Sequence, residues 1–158
     1  MSSAEFQDYA LLSRQAKSLI DGEANVVANL SNLSALIYNA LDRVNWAGFY
    51  LLDTPDGLVL GPFQGQVACV RIPVGKGVCG TAVSTGEDQL VMDVHEFPGH
   101  IACDAASASE VVLPIRVREQ IIGVLDIDSP EIARFSQADV DGLRMLVDVL
   151  QQHLEQHA

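Results

Sequence analysis

The stretch EVVLPIRVREQIIGVLDID, residues 110–128, contains two apolar segments separated by a short polar break. Apolar runs of this length that are bounded by polar residues are typical of strands, and the break across Glu119-Gln120 predicts a turn between them. The stretch therefore predicts a β-hairpin with strands at about 111–117 and 121–127.

Earlier in the chain, the same reasoning predicts another hairpin. The apolar run 46–52 is followed by the turn sequence Thr54-Pro55-Asp56-Gly57 and then by apolar residues 58–60. A third strand is predicted at 67–73 and a short strand at 90–92. Two hairpins without a regular strand-helix-strand alternation predict a mainly antiparallel sheet.

Three segments with apolar residues at three- and four-residue spacing predict helices, at about 4–19, 23–41 and 136–152. The last of them begins with the capping sequence Ser136-Gln137-Ala138-Asp139. Together, strands and helices predict an α+β fold. We expect a central sheet with the N- and C-terminal helices packed on one face and a loop-lined pocket on the other.

The length of 158 residues corresponds to one domain, and no linker-like composition divides the chain. We therefore expect a single domain over residues 1–158, with N-terminal helices in 1–43, the sheet and active-site loops in 44–128, and a C-terminal helix in 136–155. No segment approaches the roughly 20 consecutive apolar residues of a membrane span, and the first residues lack the pattern of a signal peptide. A cytoplasmic protein without a membrane partner is expected.

The chain is strongly acidic, with 21 acidic against 9 basic side chains and a formal net charge of -12. Such a field repels phosphate backbones, so nucleic acid is not an expected partner. Three cysteines in a reducing cytosol do not form a structural disulfide framework. Any disulfide is expected to be transient, with a catalytic or a sensory role.

Carboxylates cluster at the end of the second strand of the 110–128 hairpin. Side chains alternate along a strand, so Asp126 and Asp128 project from one face, and Glu110 begins the strand that pairs with theirs. Repulsion between these acids can be offset by a bound cation, so an amino group is the natural guest. In the alternative interpretation, Asp128 opens a turn and Asp126 is a solvated edge group.

The three cysteines differ in their surroundings. Cys103 lies in the polar part of a long irregular loop, 93–109, and is the best candidate nucleophile. Cys69 is predicted to share a strand face with Arg71, from which it can reach a pocket. Cys79 lies where a short helix is predicted to start, and it is either a buried apolar residue or an activated thiol.

Two other motifs carry less weight. His95, His100 and Cys103 are close in sequence, but their spacing matches no common zinc pattern, so no metal is expected there. The glycine-rich segment 75–81 lacks the order of a phosphate-binding loop, and no cofactor is expected.

Trp46 and Tyr50, four residues apart on a strand, point to the same face. They either pack in the core or line a pocket, depending on whether that face also carries Asp126 and Asp128.

Several short segments resemble one known family. They are Asn45-Trp46-Ala47-Gly48-Phe49-Tyr50, Gly61-Pro62-Phe63-Gln64-Gly65, Gly77-Val78-Cys79-Gly80-Thr81-Ala82, Asp93-Val94-His95, Gly99-His100-Ile101-Ala102-Cys103-Asp104 and Gly123-Val124-Leu125-Asp126-Ile127-Asp128. Across about 45–143 the chain is similar to the free methionine-(R)-sulfoxide reductases, which consist of a single GAF domain. The resemblance keeps all three cysteines in order.

The resemblance implies an enzyme that reduces the free amino acid through a cysteine sulfenic acid and an intramolecular disulfide, with thioredoxin as reductant. By position, it implies Cys103 as nucleophile, Cys69 as resolving thiol and Cys79 as a further catalytic cysteine. It also implies five substrate-binding residues: Glu110, Asp126, Asp128, Trp46 and Tyr50. The competing interpretation is a GAF small-molecule sensor or thiol redox sensor without turnover. A homodimer is compatible with the two N-terminal helices, although no pattern requires one.

Overall fold

The computed structural model describes residues 8–100 and 106–157. Its helices are α1 (Tyr9–Ile20), α2 (Val26–Ala40), α3 (Gly77–Thr85) and α4 (Gln137–Gln156). Its strands are β1 (Trp46–Thr54), β2 (Gly57–Gly65), β3 (Arg71–Pro73), β4 (Gln89–Val91), β5 (Ser109–Val117) and β6 (Gln120–Ser129). A single turn of 3-10 helix, Val94–Glu96, follows β4. None of the helices in the described ranges is both long and apolar enough to cross a membrane.

The six strands form one sheet in the order β3-β2-β1-β6-β5-β4, and all neighbouring strands are antiparallel. The predicted α+β class and antiparallel sheet are confirmed. Strands β1 and β6 are neighbours at the centre of the sheet. The first strand of one predicted hairpin therefore pairs with the second strand of the other. This order is what joins the aromatic residues of β1 to the acids of β6.

The alternation of side chains along the central strands builds two separate cores. Phe49, Leu125 and Ile127 face α1, α2 and α4 and are fully buried there. Trp46 and Tyr50 point to the opposite face, where they pack with apolar residues of α3. The N- and C-terminal helices therefore cover one face, as expected, and the pocket forms on the other.

Helix α4 is fixed at its N-terminus by a complete capping box. The Ser136 side chain accepts a hydrogen bond from the Asp139 N–H, and the Asp139 carboxylate accepts one from the Ser136 N–H. The Tyr9 hydroxyl also donates to Asp139, at 2.7 Å, which ties α1 to this cap. The predicted start of the first helix, before residue 8, lies outside the described residues.

The structure corrects the predicted third strand. Strand β3 begins only at Arg71, so Cys69 precedes the strand instead of sharing a face with Arg71. The physical reason is that the carbonyl groups of Gln66 and Cys69 accept hydrogen bonds from the side chains of Trp46 and Tyr50. Those carbonyls therefore hold residues 66–69 to the pocket wall, and contact with β2 begins only at Val70, whose carbonyl accepts a hydrogen bond of 2.9 Å from the Leu60 N–H.

Two predicted boundaries also shift. The β5-β6 turn consists of Arg118 and Glu119, with φ of 53° and 70°, one residue earlier than the predicted position. Two successive residues with positive φ match the turn geometry that joins antiparallel strands tightly. Helix α2 begins at Val26 instead of about residue 23, because the Asn25 side chain caps it by accepting from the Ala28 N–H at 2.9 Å.

Candidate active site

A pocket opens on the sheet face opposite the three long helices. It is lined by residues of β1, β3, β5 and β6, by the start of α3 and by the loops on either side: Trp46, Tyr50, Val67, Ala68, Ile72, Gly77, Val78, Cys79, His100, Ser107, Glu110, Asp126 and Asp128. Seven of the eight sequence-predicted site residues lie among these residues or beside them. The eighth, Cys103, lies outside the described residues.

Strand register brings the three predicted acids together. Glu110 on β5 pairs with Asp128 on β6, and Asp126 lies two residues further along the same face of β6. Glu110 and Asp126 are only 8% and 5% exposed, whereas Asp128 is half-buried. The alternative of a solvated edge group is therefore wrong for Asp126.

Burial sets the proton affinity of this cluster. Removal from water raises the pKa of Glu110 well above its usual range, and the charges of Asp126 and Asp128 raise it further. Burial also raises the pKa of Asp126, against hydrogen bonds with Glu110, Asp128 and Cys79 that lower it. The cluster therefore retains a proton at a higher pH than exposed carboxyl groups do.

Cys79 completes the polar end of the pocket. Its thiol, at the start of α3, is free, and the residue is only 3% exposed. Burial raises the pKa of this thiol, and the neighbouring charge of Asp126 raises it further. Between the two predicted alternatives, the structure favours the buried, protonated thiol over one activated by the helix.

Cys69 lies in the loop between β2 and β3, half-buried and disulfide-bonded. Its carbonyl accepts a hydrogen bond of 2.8 Å from the Tyr50 hydroxyl. Two residues before it in the chain, Val67 lines the pocket. Cys69 itself is not among the lining residues, so its predicted access to the pocket stays a prediction.

The aromatic side chains form the apolar wall of the pocket. The rings of Trp46 and Tyr50 stack with centroids 5.9 Å apart, and Trp46 stacks on Phe63 at 5.1 Å. Gly48, between the two wall residues on the same face of β1, leaves the room that Phe63 fills, because a Cβ there would lie 2.3 Å from the Phe63 Cβ. Trp46 and Tyr50 thus both pack in a core and line the pocket.

The sequence interpretation missed two contributors. The Ser107 hydroxyl lines the pocket, is buried and finds no hydrogen-bond partner within the described residues. Phe63 supports the aromatic wall from β2. The alternation of side chains along β2 could have placed Phe63 on the same face of the sheet as Trp46. No local sequence pattern marks Ser107.

The two histidines of the motif that was considered for a metal lie apart in exposure. His95 is exposed and contacts Asp93 at 2.9 Å, while His100 lines the pocket.

Comparisons with known proteins extend this description. A family model described as GAF domain matches residues 27–155. The chain is 58% identical to the free methionine-R-sulfoxide reductase of Escherichia coli (strain K12), over 98% of this chain and 92% of that protein.

Two solved structures are also similar to this chain. One is fRMsr of Staphylococcus aureus in complex with substrate, which is 54% identical, has a TM-score of 0.89 and matches over 94% of this chain and 97% of that one. The other is the free methionine-R-sulfoxide reductase of Neisseria meningitidis in complex with its substrate, at 42% identity and a TM-score of 0.92 over 99% and 93% of the two chains.

Proposed function

This chain belongs to the GAF-domain family of free methionine-(R)-sulfoxide reductases, and we propose that it reduces free L-methionine-(R)-sulfoxide to L-methionine. The observation that carries the proposal is the pairing of a buried acid cluster with an aromatic wall in one pocket. No lysine or arginine lines this pocket anywhere in the described ranges. Such a pocket suits a small molecule that carries an ammonium group and an apolar end.

The acids account for selectivity toward the free amino acid. A free methionine sulfoxide carries an ammonium group, which can donate hydrogen bonds to Glu110, Asp126 and Asp128. The same residue inside a polypeptide has an amide in place of the ammonium and would leave the buried acids without a cation. The rings of Trp46 and Tyr50 then contact the S-methyl end.

The chemical step follows from thiol and carboxyl chemistry. In the proposed step, the Cys103 thiolate attacks the sulfoxide sulfur, and a protonated carboxyl of the acid cluster donates its proton to the sulfoxide oxygen. The oxygen is transferred to Cys103, which is oxidised to a sulfenic acid, and methionine leaves. The raised pKa of Glu110 supports its role as that proton donor.

Recycling uses a second thiol. Cys69 attacks the sulfenic acid, a Cys69–Cys103 disulfide forms and water leaves. An external dithiol, for which we propose thioredoxin, then reduces this disulfide by exchange through a mixed disulfide. The disulfide-bonded state of Cys69 supports this pairing, since Cys79 carries a free, buried thiol.

The reaction requires a compartment in which dithiols are maintained, so we propose a cytoplasmic location. A homodimer formed through the N-terminal helices stays a prediction, which light scattering on the purified protein tests.

The function is tested by thioredoxin-coupled NADPH oxidation with three substrates in parallel. These are the free R sulfoxide, the free S sulfoxide and the N-acetylated R sulfoxide. We expect turnover with the free R compound alone. Absence of turnover with all three, in a protein with intact reduced thiols, would favour the sensor interpretation. Turnover with the N-acetyl compound would contradict ammonium recognition by the acids.

The cysteine roles are tested by single-turnover measurements without reductant. Cys103→Ser should release no methionine. Cys69→Ser should release about one methionine per chain and then fail to recycle with thioredoxin. If Cys69→Ser recycles at the wild-type rate, the resolving role belongs to Cys79 instead.

A further inference from the structure

One corner of the pocket combines a thiol with two carboxylates. The Cys79 sulfur, a carboxylate oxygen of Glu110 and one of Asp126 all lie within 4.8 Å of one another, and all three residues are buried. Ammonium binding needs only the carboxylates. The thiol is what changes the chemistry of this corner, because thiolate ligands are strongly preferred by zinc.

The distances suit a single ion after a small adjustment. With Zn–S near 2.3 Å and Zn–O of 2.0–2.2 Å, a sulfur and an oxygen on one tetrahedral zinc lie about 3.6 Å apart. Because the observed separations do not exceed 4.8 Å, closing them to that value requires the atoms to approach by at most about 1.2 Å. Cys79 comes from α3, Glu110 from β5 and Asp126 from β6, so three separate elements would hold the ion.

A second observation indicates that this corner takes a ligand. The Ser107 hydroxyl lines the same pocket, belongs to a residue that is only 7% exposed, and has no hydrogen-bond partner in the described part of the chain. The Oδ1 atom of Asp126 is also buried and without such a partner there. Buried polar atoms are nearly always satisfied, by protein, water or a ligand. His100 also lines the pocket but lies outside the group of three ligand atoms.

We propose that Cys79, Glu110 and Asp126 bind Zn²⁺, and that zinc and the ammonium group of the substrate exclude one another. Zinc binding is independent of the reductase activity, whereas the exclusion rests on the proposed function. The site differs from the segment around His95, His100 and Cys103, for which the sequence predicts no metal. In this proposal Cys79 acts as the residue through which zinc inhibits the enzyme.

Binding is tested in a Cys69→Ser/Cys103→Ser protein, in which Cys79 is the only remaining thiol. Competition with a chromophoric chelator should give one Zn²⁺ per chain, and Co²⁺ should give a thiolate-to-metal charge-transfer band. Adding Cys79→Ser should abolish that band and raise the Kd for zinc by at least about tenfold, because loss of even a residue that only supports a ligand typically costs about 10–100-fold in metal affinity. Asp126→Asn should weaken binding comparably.

Asp148→Asn serves as the matched control, because it removes an exposed carboxylate of α4 and should leave zinc binding unchanged. Circular dichroism confirms that each variant is folded. The proposal is overturned if no stoichiometric zinc binds. It is equally overturned if both Cys79→Ser and Asp126→Asn bind zinc as tightly as the parent protein.

Exclusion is tested by the single-turnover release of methionine from reduced wild-type protein, with and without Zn²⁺. Zinc should slow the release of methionine, and excess free R sulfoxide should relieve this inhibition. In the Cys79→Ser variant, zinc should reduce the rate by a smaller factor, measured against the rate of the same variant without zinc. Turnover without any zinc binding would overturn the metal site and leave the reductase standing. Zinc binding without turnover would support the site and reject the reductase.

Discussion

At the scale of single residues, the three acids of the pocket differ in exposure. Asp128 is half-buried and lies opposite both Trp46 and Glu110 in the strand register, whereas Glu110 and Asp126 are nearly inaccessible. A more accessible carboxylate loses less hydration when it stays charged. We therefore assign Asp128 mainly to binding the ammonium group and Glu110 to holding the proton.

Asp128→Asn should raise the KM for the free R sulfoxide by about 10-fold or more, because one charge-assisted hydrogen bond to the ammonium is worth roughly 1.5–3 kcal/mol. The maximal rate should fall less than KM rises. Steady-state kinetics with the thioredoxin-coupled assay measure both. An unchanged KM would remove Asp128 from ammonium recognition, and Asp53→Asn, a surface carboxylate beside Arg71, provides the control.

At the scale of elements, the capping box of α4 predicts a measurable loss. Ser136→Ala removes the side-chain acceptor for the Asp139 N–H and should lower the free energy of unfolding by about 1 kcal/mol. Urea titration measures the change. Ser18→Ala, at an exposed position inside α1, should not destabilise the protein, since alanine favours helix interiors.

The contact between α1 and α4 depends on a glycine. A Cβ at Gly142 would lie 2.1 Å from the ring of Tyr9, so Gly142→Ala should destabilise the fold by about 1–3 kcal/mol despite the better helix propensity of alanine. In a Tyr9→Gly background, which also removes the Tyr9 Cβ that would lie 2.6 Å from the new atom, the same substitution should cost much less. Additive effects in this double-mutant cycle would contradict the steric argument.

The helices and strands could be predicted from the sequence where a single local pattern, such as the spacing of apolar residues, determines the structure. The helices and both hairpins follow from apolar spacing, and the cap at Ser136 was visible in the sequence. Strand β3 was predicted too long because side chains distant in sequence, Trp46 and Tyr50, hold the preceding carbonyl groups. The position of the β5-β6 turn depends on positive φ at Arg118 and Glu119, which these residue types do not signal.

At the scale of the whole molecule, the buried acids make stability depend on pH. An acid whose pKa is raised by folding binds its proton more tightly in the folded state, so its contribution is fully present below the unfolded pKa and is lost as the pH rises through the folded pKa. The Glu110→Gln variant should therefore become progressively more stable than the wild type as the pH rises above the pKa of an ordinary glutamate. Thermal unfolding across a pH series measures this, and parallel profiles would contradict it.

The pocket itself was predictable in part, because alternation along β1 and β6 places Trp46, Tyr50 and Asp126 on one face. What the sequence did not show is the order of strands that joins them, or the burial of Cys79 and Ser107. Those properties arise from packing α3 and the loops against the sheet, which no local period encodes. The role of Cys103 as nucleophile, which its polar loop and the family resemblance both indicate, stays a prediction.

Trp46 is the only tryptophan of the chain, and it lies in the pocket wall, stacked between Tyr50 and Phe63 and hydrogen-bonded to the loop that carries Cys69. The protein thus contains its own optical probe at a single position. The intrinsic fluorescence of Trp46 should shift when the pocket is occupied and again when the Cys69 loop changes its redox state. Stopped-flow emission could then follow binding and recycling as separate phases, without labels or a coupled enzyme.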